Sequence, residues 1–96
     1  YIQDVRKLKK QAKYLEVEKL LLELIDATEA ESKAEKVGVA PWYYEELAKV
    51  YRRMKEYKKE VDILERFAKQ KHALGVKPKK LLERLEKART FVGKND

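Results

Sequence analysis

The apolar residues of this chain recur every three or four positions, the spacing of amphipathic helices, and no stretch alternates in the manner of a β-strand. Tyr44, Leu47 and Tyr51 form one such stripe, and Leu64 and Phe67 belong to another. The pattern predicts five helices with breaks between them. Their predicted ranges are 2–11, 14–37, 41–54, 57–73 and 78–92. We therefore expect an all-α fold of about five helices.

Two of the breaks have the same form, Gly-Val-x-Pro. They are Gly38-Val39-Ala40-Pro41 and Gly75-Val76-Lys77-Pro78. Glycine readily adopts the left-handed conformation that ends a helix, and proline is well tolerated in the first turn of the next helix. Each break therefore predicts that one helix ends and another begins.

The composition limits the chemistry that the chain can perform. The 96 residues are 44% hydrophobic and 43% charged, which fits one helical domain over residues 1–96 with a modest core. There is no cysteine, and His72 is the only histidine, so thiolate chemistry and metal sites built on cysteine or histidine are excluded. We expect no catalytic residues, no metal and no cofactor, and hence no enzyme.

The hydrophobic runs are far shorter than the roughly 20 residues of a membrane-spanning helix, so no membrane association is expected. The chain begins at Tyr1 with neither an initiator methionine nor a signal peptide. On this basis we expect the domain to be part of a larger protein.

The sequence contains an internal repeat. Shifting the chain by 43 positions superposes Leu8 on Tyr51, Tyr14 on Tyr57, Leu21 on Leu64 and Leu24 on Phe67. Two helix pairs thus share one pattern of large apolar residues. Because a single α-hairpin cannot bury its apolar faces alone, we expect the two pairs to stack, with the fifth helix covering the exposed end.

The second pair resembles the tetratricopeptide repeat. The residues that carry the resemblance are Tyr44, Leu47, Ala48, Tyr51, Tyr57, Leu64 and Phe67. Glu60 and Phe67 stand where that family has small residues, and Lys55 replaces its inter-helix glycine. The resemblance implies stacked antiparallel α-hairpins in a right-handed superhelix, a C-terminal capping helix and a role in protein–protein contact. Residues 43–67 also resemble helical tails of larger bacterial proteins, which implies a bacterial-type cytoplasmic parent.

The formal net charge is +7, and two basic stripes contribute much of it. Arg6, Lys9 and Lys10 of the first helix are equivalent, under the 43-residue shift, to Lys49, Arg52 and Arg53 of the third helix. In the family that the chain resembles, the first helix of each pair lines a groove that binds peptides. The resemblance thus implies a basic groove for an acidic peptide or protein surface, with Trp42 as an apolar anchor.

Three other interpretations remain open. The basic faces are ordinary solvated lysine-rich surfaces, or they contact nucleic acid as an accessory domain, although no nucleic-acid-binding motif is present. The third interpretation is a structural tail that dimerises its parent, with the acidic second helix against a basic helix of another copy. The acids concerned are Asp26, Glu29, Glu31 and Glu35. The same acids do not resemble a metal site, because they lie along one helix without a glycine turn.

Overall fold

The computed structural model describes residues 2–72 and 75–95, with the side chains of all of these except Lys94 and Asn95. The described residues form five α-helices and no strand, which confirms the all-α fold. The helices are α1 (Ile2–Lys10), α2 (Tyr14–Glu35), α3 (Pro41–Arg53), α4 (Tyr57–Ala68) and α5 (Val76–Asn95). None of the helices in this part of the chain combines the length and hydrophobicity needed to cross a membrane.

The first Gly-Val-x-Pro break begins a helix as predicted but ends one differently. Pro41 is the first residue of α3, where its missing N–H has no helical partner to lose. The left-handed residue after α2 is Lys36, with φ of 58°, rather than Gly38. The helix therefore ends two residues earlier than the sequence pattern predicted.

The second break departs further from the prediction. α4 ends at Ala68 rather than at residue 73, which itself lies outside the described residues. The ring of His72 stacks on Phe67 at a centroid distance of 4.3 Å, and its Nε2 hydrogen-bonds the carbonyl oxygen of Phe67 at 2.7 Å. The chain is thus turned back onto the last turn of α4. Gly75, with φ of 149°, directly precedes α5 instead of closing α4, and α5 continues past Gly93.

Each helix packs against the next one along the chain, and α3 is central because it contacts α2, α4 and α5. The predicted core residues Tyr44, Leu47 and Leu64 are completely buried. Helical spacing also predicts burial of Ala68 in α4 and of Leu82 in α5, and both predictions are wrong. Ala68 is exposed because α4 ends there, and Leu82 is 37% exposed because it points away from Leu81 and Leu85, which face the core.

The 43-residue repeat is also present in the backbone. The turns between α1 and α2 and between α3 and α4 have the left-handed residues Ala12 and Lys55, with φ of 56° and 60°. The Ala12 amide donates to the carbonyl of Lys9, and the equivalent Lys55 amide donates to the carbonyl of Arg52. Three further backbone hydrogen bonds around each turn match under the same shift. The two α-hairpins therefore share one turn geometry.

Tyrosine hydroxyls from α3 and an arginine from α4 join the second hairpin to α2. Tyr44 Oη donates to Glu29 at 2.8 Å, and Tyr51 Oη donates to Glu18 at 2.6 Å. Burial and these carboxylates raise the pKa of both tyrosines well above the usual value. Arg66 of α4 donates to the same Glu29 at 2.8 Å, which raises the pKa of the guanidinium. The contact between the hairpins is thus polar at its edge and apolar at its centre.

Candidate functional site

Four cations of the two predicted basic stripes point into solvent. Arg6 and Lys10 of α1 are exposed, and so are their repeat equivalents Lys49 and Arg53 of α3. They lie there because Val5 of α1, and Leu47 and Tyr51 of α3, turn the opposite faces of those helices into the core. Within the described residues, no carboxylate lies within salt-bridge distance of Arg6, Lys10 or Arg53.

Lys9 connects the two stripes. Its Nζ lies 2.9 Å from Glu46 Oε2 of α3, and both side chains are largely shielded from water. This ion pair links α1 to α3, so it brings part of one basic stripe near the other. Because Glu46 neutralises it, Lys9 contributes less to the charge of this face than the sequence predicts.

Arg52 has an internal partner that the sequence analysis did not assign. Its Nε donates to Glu60 Oε1 of α4 at 2.7 Å. The other oxygen of Glu60 accepts from Arg84 of α5, with Nε at 3.1 Å and Nη2 at 2.9 Å. Glu60 itself is completely buried. A buried carboxylate is tolerated when charge-assisted hydrogen bonds replace its lost hydration, and two arginines provide them here.

An aromatic contact strengthens the same junction. The guanidinium carbon of Arg52 lies 4.6 Å from the ring centroid of Phe91, and Phe91 meets Tyr57 edge to face at 4.6 Å. A cation over an aromatic ring is attracted by the negative charge of the ring face. Glu60, Arg52, Arg84 and Phe91 together hold α5 against the second hairpin.

Glu45 is the principal acid on the exposed side of α3. Its Oε1 accepts a hydrogen bond from Lys77 of α5 at 3.0 Å and lies 3.7 Å from Lys49 Nζ. Burial works against ionisation of Glu45, but the hydrogen bond from Lys77 and the surrounding cations outweigh it and hold its pKa below the usual value. Glu45 is thus a carboxylate held between a lysine of its own helix and a lysine of α5.

Trp42 lies in the first turn of α3, on the same side of that helix as Glu45 and Lys49. It is half-buried, packs against the core and meets Tyr43 edge to face at a centroid distance of 5.9 Å. The indole therefore has a fixed position, and part of its surface remains open. A rigid, partly exposed indole is suited to contact an apolar group.

Sequence reasoning missed the role of Glu60, although the repeat contained a signal. Glu60 is equivalent to Val17, which is completely buried in the first hairpin. A carboxylate in a position that is apolar in the other repeat requires a cationic partner nearby. Arg84 of α5 could not be chosen from the pattern, because the position of α5 relative to α4 depends on packing.

The acidic residues of α2 are partly used within the chain. Asp26 and Glu29 both accept hydrogen bonds from Arg66 of α4, whereas Glu31 and Glu35 are exposed. Among the residues that the structure describes, no three acidic or histidine side chains are grouped so that they could hold a metal ion. No family model matches the chain, and comparison with curated proteins and with solved structures found no match.

Proposed function

We propose that this protein is a non-catalytic protein–protein interaction module that binds an acidic peptide, or an acidic partner surface, on the basic face of α1 and α3. The observation that carries the proposal is the pairing of exposed cations at equivalent positions of the two repeats. Arg6 corresponds to Lys49, and Lys10 corresponds to Arg53. Neighbouring cations of this kind attract acidic ligands and increase the rate of association.

The residues that we propose as contacts are those that are exposed or partly exposed and have no strong internal partner. Arg6, Lys10, Lys49 and Arg53 provide exposed charge, and Trp42 provides an apolar contact. Lys9 and Arg52 belong to the predicted set, but each already bonds a carboxylate, so their main effect is to position the helices. A peptide is favoured over nucleic acid because the sequence contains no nucleic-acid-binding motif.

The proposal extends to the protein of which this domain is a part. A tetratricopeptide-like stack in a larger bacterial-type cytoplasmic protein agrees with the repeated hairpins. Dimerisation through α2 is less favoured, because Arg66 already pairs with two of the acids that would meet a second copy.

The test is a titration of a fluorescently labelled glutamate-rich peptide, followed by anisotropy. We expect Lys10→Glu with Arg53→Glu to weaken binding about tenfold or more, because both cations face the ligand. The control variant carries Lys19→Glu with Lys33→Glu, two exposed residues of α2, and has the same net charge. Equal affinity of the two variants would contradict the proposal. Tighter binding of a single-stranded oligonucleotide, with a steep salt dependence, would favour the nucleic-acid alternative.

A further inference from the structure

The line along which α3 and α5 meet, which we call the α3–α5 seam, is bordered by one stripe of residues on each helix. On α3 the stripe contains Trp42, Glu45, Lys49 and Arg52, at spacings of three and four residues. On α5 it contains Lys77, Lys80, Arg84, Lys87 and Phe91, with the same alternation. Residues at these spacings lie on one side of a helix.

Contacts near both ends show the relative direction of the two stripes. Near the start of both helices, Lys77 donates to Glu45 at 3.0 Å. Towards their ends, the guanidinium of Arg52 lies over the ring of Phe91 at 4.6 Å. The helices therefore run side by side in the same direction. Lys80 and Lys87 lie between Lys77 and Phe91 in the α5 stripe. They are therefore placed along the seam.

The seam carries more positive than negative charge. Lys80 and Lys87 are exposed, and no carboxylate in the described part of the chain lies within salt-bridge distance of either one. Two acids at the seam already have cationic partners. Glu45 pairs with Lys77, and the buried Glu60 pairs with Arg52 and Arg84. Glu83 lies between Lys80 and Lys87 on the same side of α5, three residues after one and four before the other, and offsets part of their charge. The six cations of the two stripes still outnumber the three acids Glu45, Glu60 and Glu83. Cations without partners in such a row raise the local potential for anionic groups.

We infer that the acidic ligand does not lie on α1 and α3 alone, but extends across the α3–α5 seam to Lys80 and Lys87. The inference rests on the proposed function and names a further part of the binding surface. Seven residues separate the two lysines, or about 10.5 Å along the helix axis. About three residues of extended peptide cover that distance. The ligand is thus an extended segment with carboxylates about three residues apart.

The test uses four versions of the full chain and one probe, a fluorescently labelled peptide with glutamate at every third position. The seam variant is Lys80→Glu with Lys87→Glu. It is compared with wild type, with the α1 and α3 variant Lys10→Glu with Arg53→Glu, and with the α2 control Lys19→Glu with Lys33→Glu. Circular dichroism establishes that each one is folded. The milder pair Lys80→Gln with Lys87→Gln replaces the seam variant if the charge reversal prevents folding.

We expect the seam variant to bind the peptide about tenfold more weakly than the control, as the α1 and α3 variant does. If only the α1 and α3 variant loses affinity, the seam inference is overturned and the proposed function remains. If neither variant differs from the control, both are overturned. A peptide with the same composition but with its glutamates in one block should bind the seam less tightly, and equal binding would overturn the extended arrangement.

Discussion

At the scale of single residues, Glu60 shows how burial determines the importance of a charge. Its carboxylate is completely inaccessible, whereas the side chains of Arg52 and Arg84 are 37% and 29% exposed. Removing the carboxylate leaves two arginines that can still reach water. Removing an arginine leaves a buried anion with fewer hydrogen bonds. Unpaired buried charge is the more costly outcome, so the three residues are not equivalent.

We predict that Arg84→Met destabilises the protein more than Glu60→Val does. The methionine keeps much of the apolar stem of Arg84, and we expect a loss of about 3 kcal/mol for this variant because Glu60 stays buried with one partner. For Glu60→Val, which copies the buried Val17 of the first hairpin, we expect a loss of no more than about 1.5 kcal/mol. Urea unfolding of both variants measures the difference. A larger loss of stability for Glu60→Val than for Arg84→Met would contradict this prediction. It would mean that the hydrogen bonds of Glu60 stabilise the fold by more than its burial costs.

At the scale of elements, the two hairpin turns share a geometry that their residues do not favour. Ala12 and Lys55 both adopt a left-handed conformation, in which a side chain costs about 1–2 kcal/mol. The turns keep this geometry because the helices on either side pack against each other. The strain is therefore local and can be relieved without changing any contact of the exposed Lys55 side chain.

Lys55→Gly should stabilise the protein by about 0.5–1 kcal/mol, because glycine adopts a positive φ without steric cost. The matched control is Lys19→Gly, an exposed position inside α2, where glycine should destabilise by about 1 kcal/mol. Thermal unfolding followed by circular dichroism measures both changes. Destabilisation of similar size in the two variants would show that the left-handed turn does not limit stability.

The spacing of apolar residues predicted which face of a helix is buried wherever that spacing alone determines burial. The stripe of Tyr44, Leu47 and Tyr51 identified the buried face of α3, because alternating exposure follows directly from helical spacing. The end of α4 could not be predicted in this way, since it depends on the stacking of His72 on Phe67 after the chain has turned. The candidate cations were identified by the repeat, but the partners of Lys9 and Arg52 lie on other helices. Their pairing is a result of packing.

At the scale of the whole molecule, the stability of the contact between the two hairpins depends on whether two tyrosine hydroxyls are protonated. Tyr44 and Tyr51 are neutral donors to Glu29 and Glu18, and the pKa of each tyrosine is raised in the folded protein. A group with a raised pKa favours the folded state fully below its unfolded pKa, here about 10, and loses that advantage at higher pH. The stack should therefore weaken in alkaline solution.

The double variant Tyr44→Phe with Tyr51→Phe should be less stable than wild type at pH 8, because the hydrogen bonds from both tyrosine hydroxyls to α2 are lost. Between about pH 8 and 11 we expect the difference in unfolding free energy to shrink by about 2–3 kcal/mol, roughly 1.4 kcal/mol for each tyrosine. Lysine deprotonation affects both proteins and cancels in the comparison. Urea unfolding of both proteins at pH 8 and pH 11 measures the difference in unfolding free energy. A difference that does not change with pH would mean that the two hydroxyls ionise normally.

The buried carboxylate of α4 also makes the two halves of the chain non-interchangeable. The turns are alike, yet Glu60 in the second hairpin occupies the place that Val17 fills in the first. In a chain recombined to carry the first hairpin twice, a valine would face α5 in place of Glu60. Arg84 would then have no carboxylate to accept its hydrogen bonds. Divergence at this one position therefore defines which hairpin can be followed by α5, and gives the order of the units along the chain a chemical basis.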